Sequence, residues 1–353
     1  MKLLEDIRVM CHQLAEPDFE KPLDVVSWMG AMQAQDYTMS KWAVGIRLKN
    51  AGLRQVNDAL AKGEIVRTHI LRPTWHYVAG KDLRWMRQLT SVRVKKTIDS
   101  WVKGNGLDIS EEHYTKCNDC IGNMLAGKKC LTREEIETEL ERRGILVADD
   151  RVKRYILRAE MEGIVCSGAD RDGKPTYTLL EEHIAPVAAL HREEALALLA
   201  LRYFRSHSPA TLKDFIWWSG LTVAEAKQAV GLISDWLLTE YFEGKEYWVC
   251  PSYRELKRKN VTCFLPPFDE YLISYKERNT VIPAKYQAKA YNRWGIFYPV
   301  ILYRGQIVGN WSKVSKKGAI RLVPTFFELT FKIDPGQLQR AEERYRKFIL
   351  NSV

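Results

Sequence analysis

Apolar residues recur at helical spacing through Leu3–Leu14 and again from Pro22 to Gln33, so two short helices are predicted there. A polar stretch, Met32-Gln33-Ala34-Gln35-Asp36-Tyr37, breaks the pattern. On a helix its two glutamines would point about 200° apart; in an extended segment residues i and i+2 face the same way. If they act together, the stretch is a short strand or an extended connection. Ser40 is placed to cap a helix over Lys41–Ile46, and Leu53, Val56 and Leu60 mark another that stops at Gly63. The β-branched and aromatic run Ile65–Val78 follows, with Pro73 demanding a turn or edge position.

The same order of elements returns twice. A basic helical stretch, Lys81–Val102, leads to a second set: Thr132-Arg133-Glu134-Glu135 reads as a capping box, Val152–Glu162 as a helix ended by Gly163, and Asp172-Gly173 as a hairpin tip. A third set has helices over Arg192–Ser206, Thr211–Ser219 and Thr222–Leu232, then a hairpin at Glu243-Gly244-Lys245. After Asn260 the chain becomes β-rich, with a hairpin turn at Arg304-Gly305 and a final amphipathic helix, Asp334–Leu350. The fold class expected is α+β: three tandem winged-helix (helix-turn-helix) motifs followed by a small C-terminal β-barrel-like domain. Boundaries fall at 1–105 for winged helix 1 with its bridging helix, 106–185 for winged helix 2, 186–260 for winged helix 3 and 261–353 for the C-terminal β domain with its terminal helix.

Bulk properties narrow the function. An apolar share of 46% and a charged share of 28% are those of a packed, water-soluble chain. No apolar run approaches the roughly 20 residues of a membrane span, and Met1-Lys2-Leu3-Leu4-Glu5-Asp6 has no secretory core, so a cytoplasmic protein without a membrane partner is expected. Seven scattered cysteines fit a reducing compartment. Lys and Arg outnumber acids 54 to 44, a lean towards a polyanionic partner. His113, Cys117, Cys120 and Cys130 invite a zinc reading, yet no second close pair follows the Cys-x-x-Cys, so neither a metal nor any other cofactor is expected.

Taken in order, Gln33-Ala34-Gln35, Arg67-Thr68, Arg72-Pro73-Thr74-Trp75-His76, Leu265-Pro266-Pro267-Phe268-Asp269-Glu270-Tyr271, Lys276-Glu277-Arg278 and Val308-Gly309-Asn310-Trp311 resemble the AlkZ/YcaQ family of winged-helix DNA glycosylases. The resemblance spans nearly the whole chain. It implies three tandem winged helices and a β domain forming a basic surface for duplex DNA, removal of bulky or cationic alkylated purines, and in some members unhooking of interstrand crosslinks. Glutamine at position 35 matches the Gln-x-Gln branch rather than the Gln-x-Asp one; Pro73 stands where many members carry glycine.

The chemistry agrees with that implication. Breaking an N-glycosidic bond builds positive charge on the sugar, and water must arrive on one face. Glutamine has no titrating proton, but two amide carbonyls can accept both water hydrogens and aim its lone pair. That suffices if the base already leaves well, as an N7-alkylated guanine does by departing neutral. Gln33 and Gln35 are therefore the expected catalytic pair, and Arg67, Arg72, Thr74 and His76 the expected DNA-binding residues, in a monomer acting on double-stranded DNA that contains alkylated bases. For His76 a backbone-bonded structural histidine is at least as good a reading. Asp36 is read as a cap or surface charge, and Asp269 and Glu270, beside two prolines, as structural. The alternative function is a non-catalytic winged-helix DNA-binding protein or transcription regulator, which calls for a dimer and a palindromic site.

Overall fold

The computed structural model describes residues 4–251, 261–316, 319–328 and 330–351. The chain forms two compact units, Met1–Val56 with Leu196–Val353, and Asn57–Ala195. In chain order the first unit begins with α1 (Leu4–Cys11), α2 (Pro22–Met29), β1 (Ala31–Gln33) and α3 (Met39–Gly45), and α4 (Leu53–Ala61) leads out of it. The helix expected to reach Gln33 ends four residues earlier. Gly30 adopts φ 79°, outside the helical region, and turns the chain into β1. A side chain there would also meet Cβ of Arg202 at 3.2 Å. Nor does Ser40 cap α3, as it sits in the first turn; the Asp36 carboxylate accepts the N–H of Met39 at 2.8 Å instead.

The second unit holds the hairpin β2 (Ile65–Ile70) and β3 (Thr74–Ala79), the 25-residue α5 (Gly80–Gly104), α6 (Glu111–Leu125), β4 (Leu131–Thr132), α7 (Arg133–Arg142), α8 (Arg151–Glu162), β5 (Val165–Ser167), β6 (Thr176–Leu179) and α9 (Leu180–His183). Strands β4, β6 and β5 form one antiparallel sheet. The capping box at Thr132 and Glu135 is present, and Asp172 and Gly173, at φ 54° and 78°, make the tight hairpin tip. Helix α6, capped by Ser110, does not stand out in the periodicity. Its Cys117 packs with Tyr114, Ile121, Ile136 and Tyr155 in the unit's core. Burial there pushes the thiol up to about 12, so Cys117 serves as an apolar packing group.

The chain returns to the first unit along α10 (Arg192–His207), then α11 (Leu212–Ser219), α12 (Val223–Gly231) and the hairpin β7 (Leu238–Phe242) and β8 (Lys245–Val249). Thr211–Asp214 and Thr222–Glu225 both close capping boxes. There follow β9 (Thr262–Leu265), α13 (Glu270–Ile273), α14 (Ala284–Ala290), β10 (Val300–Tyr303), β11 (Gln306–Lys316), β12 (Ala319–Phe326) and α15 (Pro335–Leu350). The β-barrel-like domain expected here is an open four-stranded antiparallel sheet in the order β12-β11-β10-β9. Nothing among the described residues joins its two edges; α15 packs on β9 and β12 instead. The core of this unit is aromatic: Trp42, Tyr203, Phe204, Phe215, Trp218, Tyr271 and Tyr345 are fully buried.

Candidate active site

The two glutamines sit at the end of β1. Gln33, the last strand residue, is buried with 4% exposure, whereas Gln35 is exposed on the bend that follows. The main-chain N–H of Gln33 donates to the carboxylate of Glu270. Beyond the bend, Lys41 holds its ammonium 4.4 Å from the Tyr37 ring, a cation–π contact at the start of α3.

Glu270 is placed by the segment that follows β9. Pro266 and Pro267 end the strand, Phe268 takes a left-handed φ of 60°, and Asp269 caps α13 by accepting the N–H of Tyr271 at 2.9 Å. Asp269 also receives both terminal nitrogens of Arg47, at 2.9 and 2.8 Å, in a buried bidentate pair. Arg47 also donates to the carbonyls of His12 and Ala43. Beside this pair the Glu270 carboxylate accepts the Ser274 hydroxyl and, at 3.2 Å, the Trp218 indole N–H, with Nε2 of His207 at 3.5 Å. Burial alone would raise its pKa. The His207 contact, the Ser274 hydroxyl and the Gln33 N–H outweigh burial and hold it at about 2.

Burial pushes the imidazoles of His12 and His207 down, so both are neutral near pH 7. The Tyr275 hydroxyl donates to the His207 carbonyl at 2.9 Å and takes the Nε2–H of His12 at 2.8 Å. Glu270 is thus an anion sealed in protein. Its oxygens are taken by protein donors, and through the Gln33 N–H it fixes the strand that carries Gln33. Asp269 and Glu270 are structural, as their prolines suggested. Nothing in the local sequence links Glu270 to Gln33.

The other four expected site residues lie on the β2/β3 hairpin of the second unit. Arg67 is 5% exposed; its guanidinium stacks 3.9 Å above the Trp75 ring and its main-chain N–H donates to Ser167 Oγ at 2.8 Å. His76 is fully buried and donates from Nδ1 to the Thr74 carbonyl at 2.9 Å. Arg72, on the turn, and Thr74, at the start of β3, are half-buried; Leu71 takes φ 60° and Pro73 is exposed. Sequence reasoning passed over His69, whose Nδ1 donates to Glu160 at 2.6 Å and whose ring lies 3.8 Å from Trp75. These two rings, with Arg133, Lys153, Glu160 and Tyr177, line a cavity of about 240 Å³.

A family model described as DNA glycosylase AlkZ-like matches residues 26–348. The chain belongs to this family of DNA glycosylases, as its motifs implied. It is similar to an interstrand DNA cross-link repair glycosylase of Streptomyces sahachiroi, 24% identical in an alignment 348 positions long that covers 92% of this chain and 91% of the relative. It is also similar to the solved structure of Streptomyces sahachiroi DNA glycosylase AlkZ. The TM-score is 0.80 at 20% identity, over 98% of this chain and 96% of that one, which establishes a shared fold.

Proposed function

We propose that the chain is a monofunctional DNA N-glycosylase that hydrolyses the bond between deoxyribose and a cationic or bulky alkylated purine of the N7-alkylguanine type. The observation that carries this reading is the anchoring of Gln33 on the buried Glu270 anion, two residues from the exposed amide of Gln35. The bond from C1′ to N9 breaks with its electrons leaving on the base, which departs neutral. Gln33 and Gln35 accept the hydrogens of one water and direct its oxygen to C1′; the spare proton passes to solvent. Neither amide titrates, so the contribution is orientation, which supplies roughly 7 kcal/mol in good cases. Ordinary, uncharged purines stay attached because neither amide carries a proton to give the leaving base.

Duplex DNA is the partner. Arg72 and Thr74 contact its backbone, and Arg67 and His76, buried behind them, hold the hairpin in shape. The helix–helix–hairpin runs ending in β2/β3, β5/β6 and β7/β8 support three winged helices, and the protein acts as a monomer in the cytoplasm. A repair role on interstrand crosslinks, the activity named for the Streptomyces relative, extends the same chemistry to a lesion too bulky for a snug base pocket. The test is incubation with duplex carrying N7-methylguanine, scoring free base and alkali-labile sites. Wild type releases the base; Gln35→Ala binds the duplex as well but loses at least about 100-fold in single-turnover rate. Undiminished release by that variant removes Gln35 from the catalytic pair; binding without release by wild type leaves only a DNA-binding scaffold.

A further inference from the structure

The first unit carries an aromatic tip that its core does not use. Trp294 is 75% exposed, and Ile296 and Tyr298, on the same loop between α14 and β10, are 44% and 36% exposed. Three exposed apolar side chains gathered on one loop make a candidate contact site, provided the backbone holds them together.

Here it is rigid. Asn292 Oδ1 accepts the N–H groups of Trp294 and Ile296 at 2.9 and 3.1 Å, and the Asn292 N–H donates to the Ile296 carbonyl at 3.0 Å. Gly295 supplies the φ of 79° that the tight turn requires. Below the tip, Tyr291 and Phe297 pair as a bridge with rings stacked 5.1 Å apart. The Arg278 guanidinium, 9% exposed, lies 4.8 and 5.1 Å from their centroids. The loop is a braced post with a wide apolar head.

The post stands on the segment that holds β1. Phe297 packs against Phe268, centroids 6.2 Å apart, and two residues on from Phe268 is Glu270, which takes the Gln33 N–H. Charge at the tip selects the partner: the exposed Arg293 holds its guanidinium 4.7 Å from the Trp294 ring, and exposed Lys289 lies just upstream. Aromatic faces stack on bases, and cations beside them meet phosphates.

We infer that the loop around Trp294 is a wedge that enters duplex DNA next to the lesion, the indole stacking on an unstacked base while Arg293 contacts the adjoining phosphate. Apolar wedges of this kind unstack a base step and bend the duplex. A glycosylase facing a crosslinked base that cannot leave the helix gains access to the sugar by that distortion. The inference rests on DNA as the partner and not on the identity of the catalytic amides.

The test uses the full chain and a duplex with a tetrahydrofuran abasic-site analogue, a product mimic for any glycosylase, flanked by 2-aminopurine. Wild type raises the 2-aminopurine fluorescence on binding. Trp294→Ala abolishes the rise and weakens binding about 5- to 150-fold, the range for loss of one aromatic–base stack. Trp294→Phe keeps most of both, and thermal unfolding of all three proteins is the same because the side chain is outside the core. Three results overturn the wedge: no fluorescence rise with bound wild type, an unchanged rise and affinity in Trp294→Ala, or loss of self-association in Trp294→Ala with DNA binding intact, which makes the tip a protein interface. Failure of Gln35→Ala to lose activity leaves this experiment unaffected.

Discussion

The main-chain N–H of Gln33 donates to the carboxylate of Glu270, a residue 237 positions further along the chain. A backbone donor at a strand end is met by a full negative charge, and the same charge takes Trp218 and Ser274. The position of the glutamine strand and the integrity of the aromatic core therefore depend on one side chain.

Glu270→Gln keeps the shape and removes the charge. Its carbonyl still accepts one N–H, but its amide nitrogen then faces two other donors, so about 2–4 kcal/mol of stability is lost. Urea unfolding measures that. If Glu270 positions Gln33, the base-release rate of the folded variant also drops while duplex affinity stays near wild type. In a Gln33→Ala background the same change then costs less rate than it does in wild type. Additive losses reduce Glu270 to a purely stabilising residue.

Acid lowers stability in two stages. His12 and His207 are held below their ordinary 6.5 by burial, so the unfolded chain binds protons that the folded chain refuses, and stability declines as pH falls below 6.5. Each imidazole contributes about 1.4 kcal/mol per pH unit over its window. Glu270 is depressed from 4.5 to about 2. Its contribution, about 3 kcal/mol, is complete above 4.5 and disappears as pH falls towards 2. Denaturant midpoints from pH 7 to 3 show both limbs, and Glu270→Gln flattens the lower one alone. A lower limb that persists in the variant assigns the acid loss to other carboxylates.

Arg72 and His76 separate surface contact from scaffold on one hairpin. Arg72→Gln removes a cation from the half-buried turn and lowers the slope of log affinity against log salt by about 0.9. His76→Asn disturbs a fully buried ring bonded to the Thr74 carbonyl. It lowers the melting temperature and leaves the slope as it was. Titrating a fluorescent duplex at several salt concentrations checks both. An unchanged slope in Arg72→Gln removes that residue from the interface.

Much of the molecule was legible in the chain itself. Caps at Thr132 and Thr222 involve partners three residues apart, and glycines such as Gly163 and Gly173 take the backbone angles they were expected to take. The turns at Asp172-Gly173, Glu243-Gly244 and Arg304-Gly305 are local in the same way. The ordered motifs pointed to the glycosylase family for a different reason: they resemble that family in residue type and in order along nearly the whole chain. Folding alone decided what depends on distant partners. The closure of the C-terminal strands turned on edges that no local pattern specifies, and the sheet stays open. The helix at Glu111–Leu125 hid behind a polar, cysteine-bearing stretch that only packing against Ile136 and Tyr155 makes coherent. The sealed charge of Glu270 beneath Gln33 and the exposed indole of Trp294 were equally invisible, because burial and exposure belong to the packed chain and not to any residue by itself.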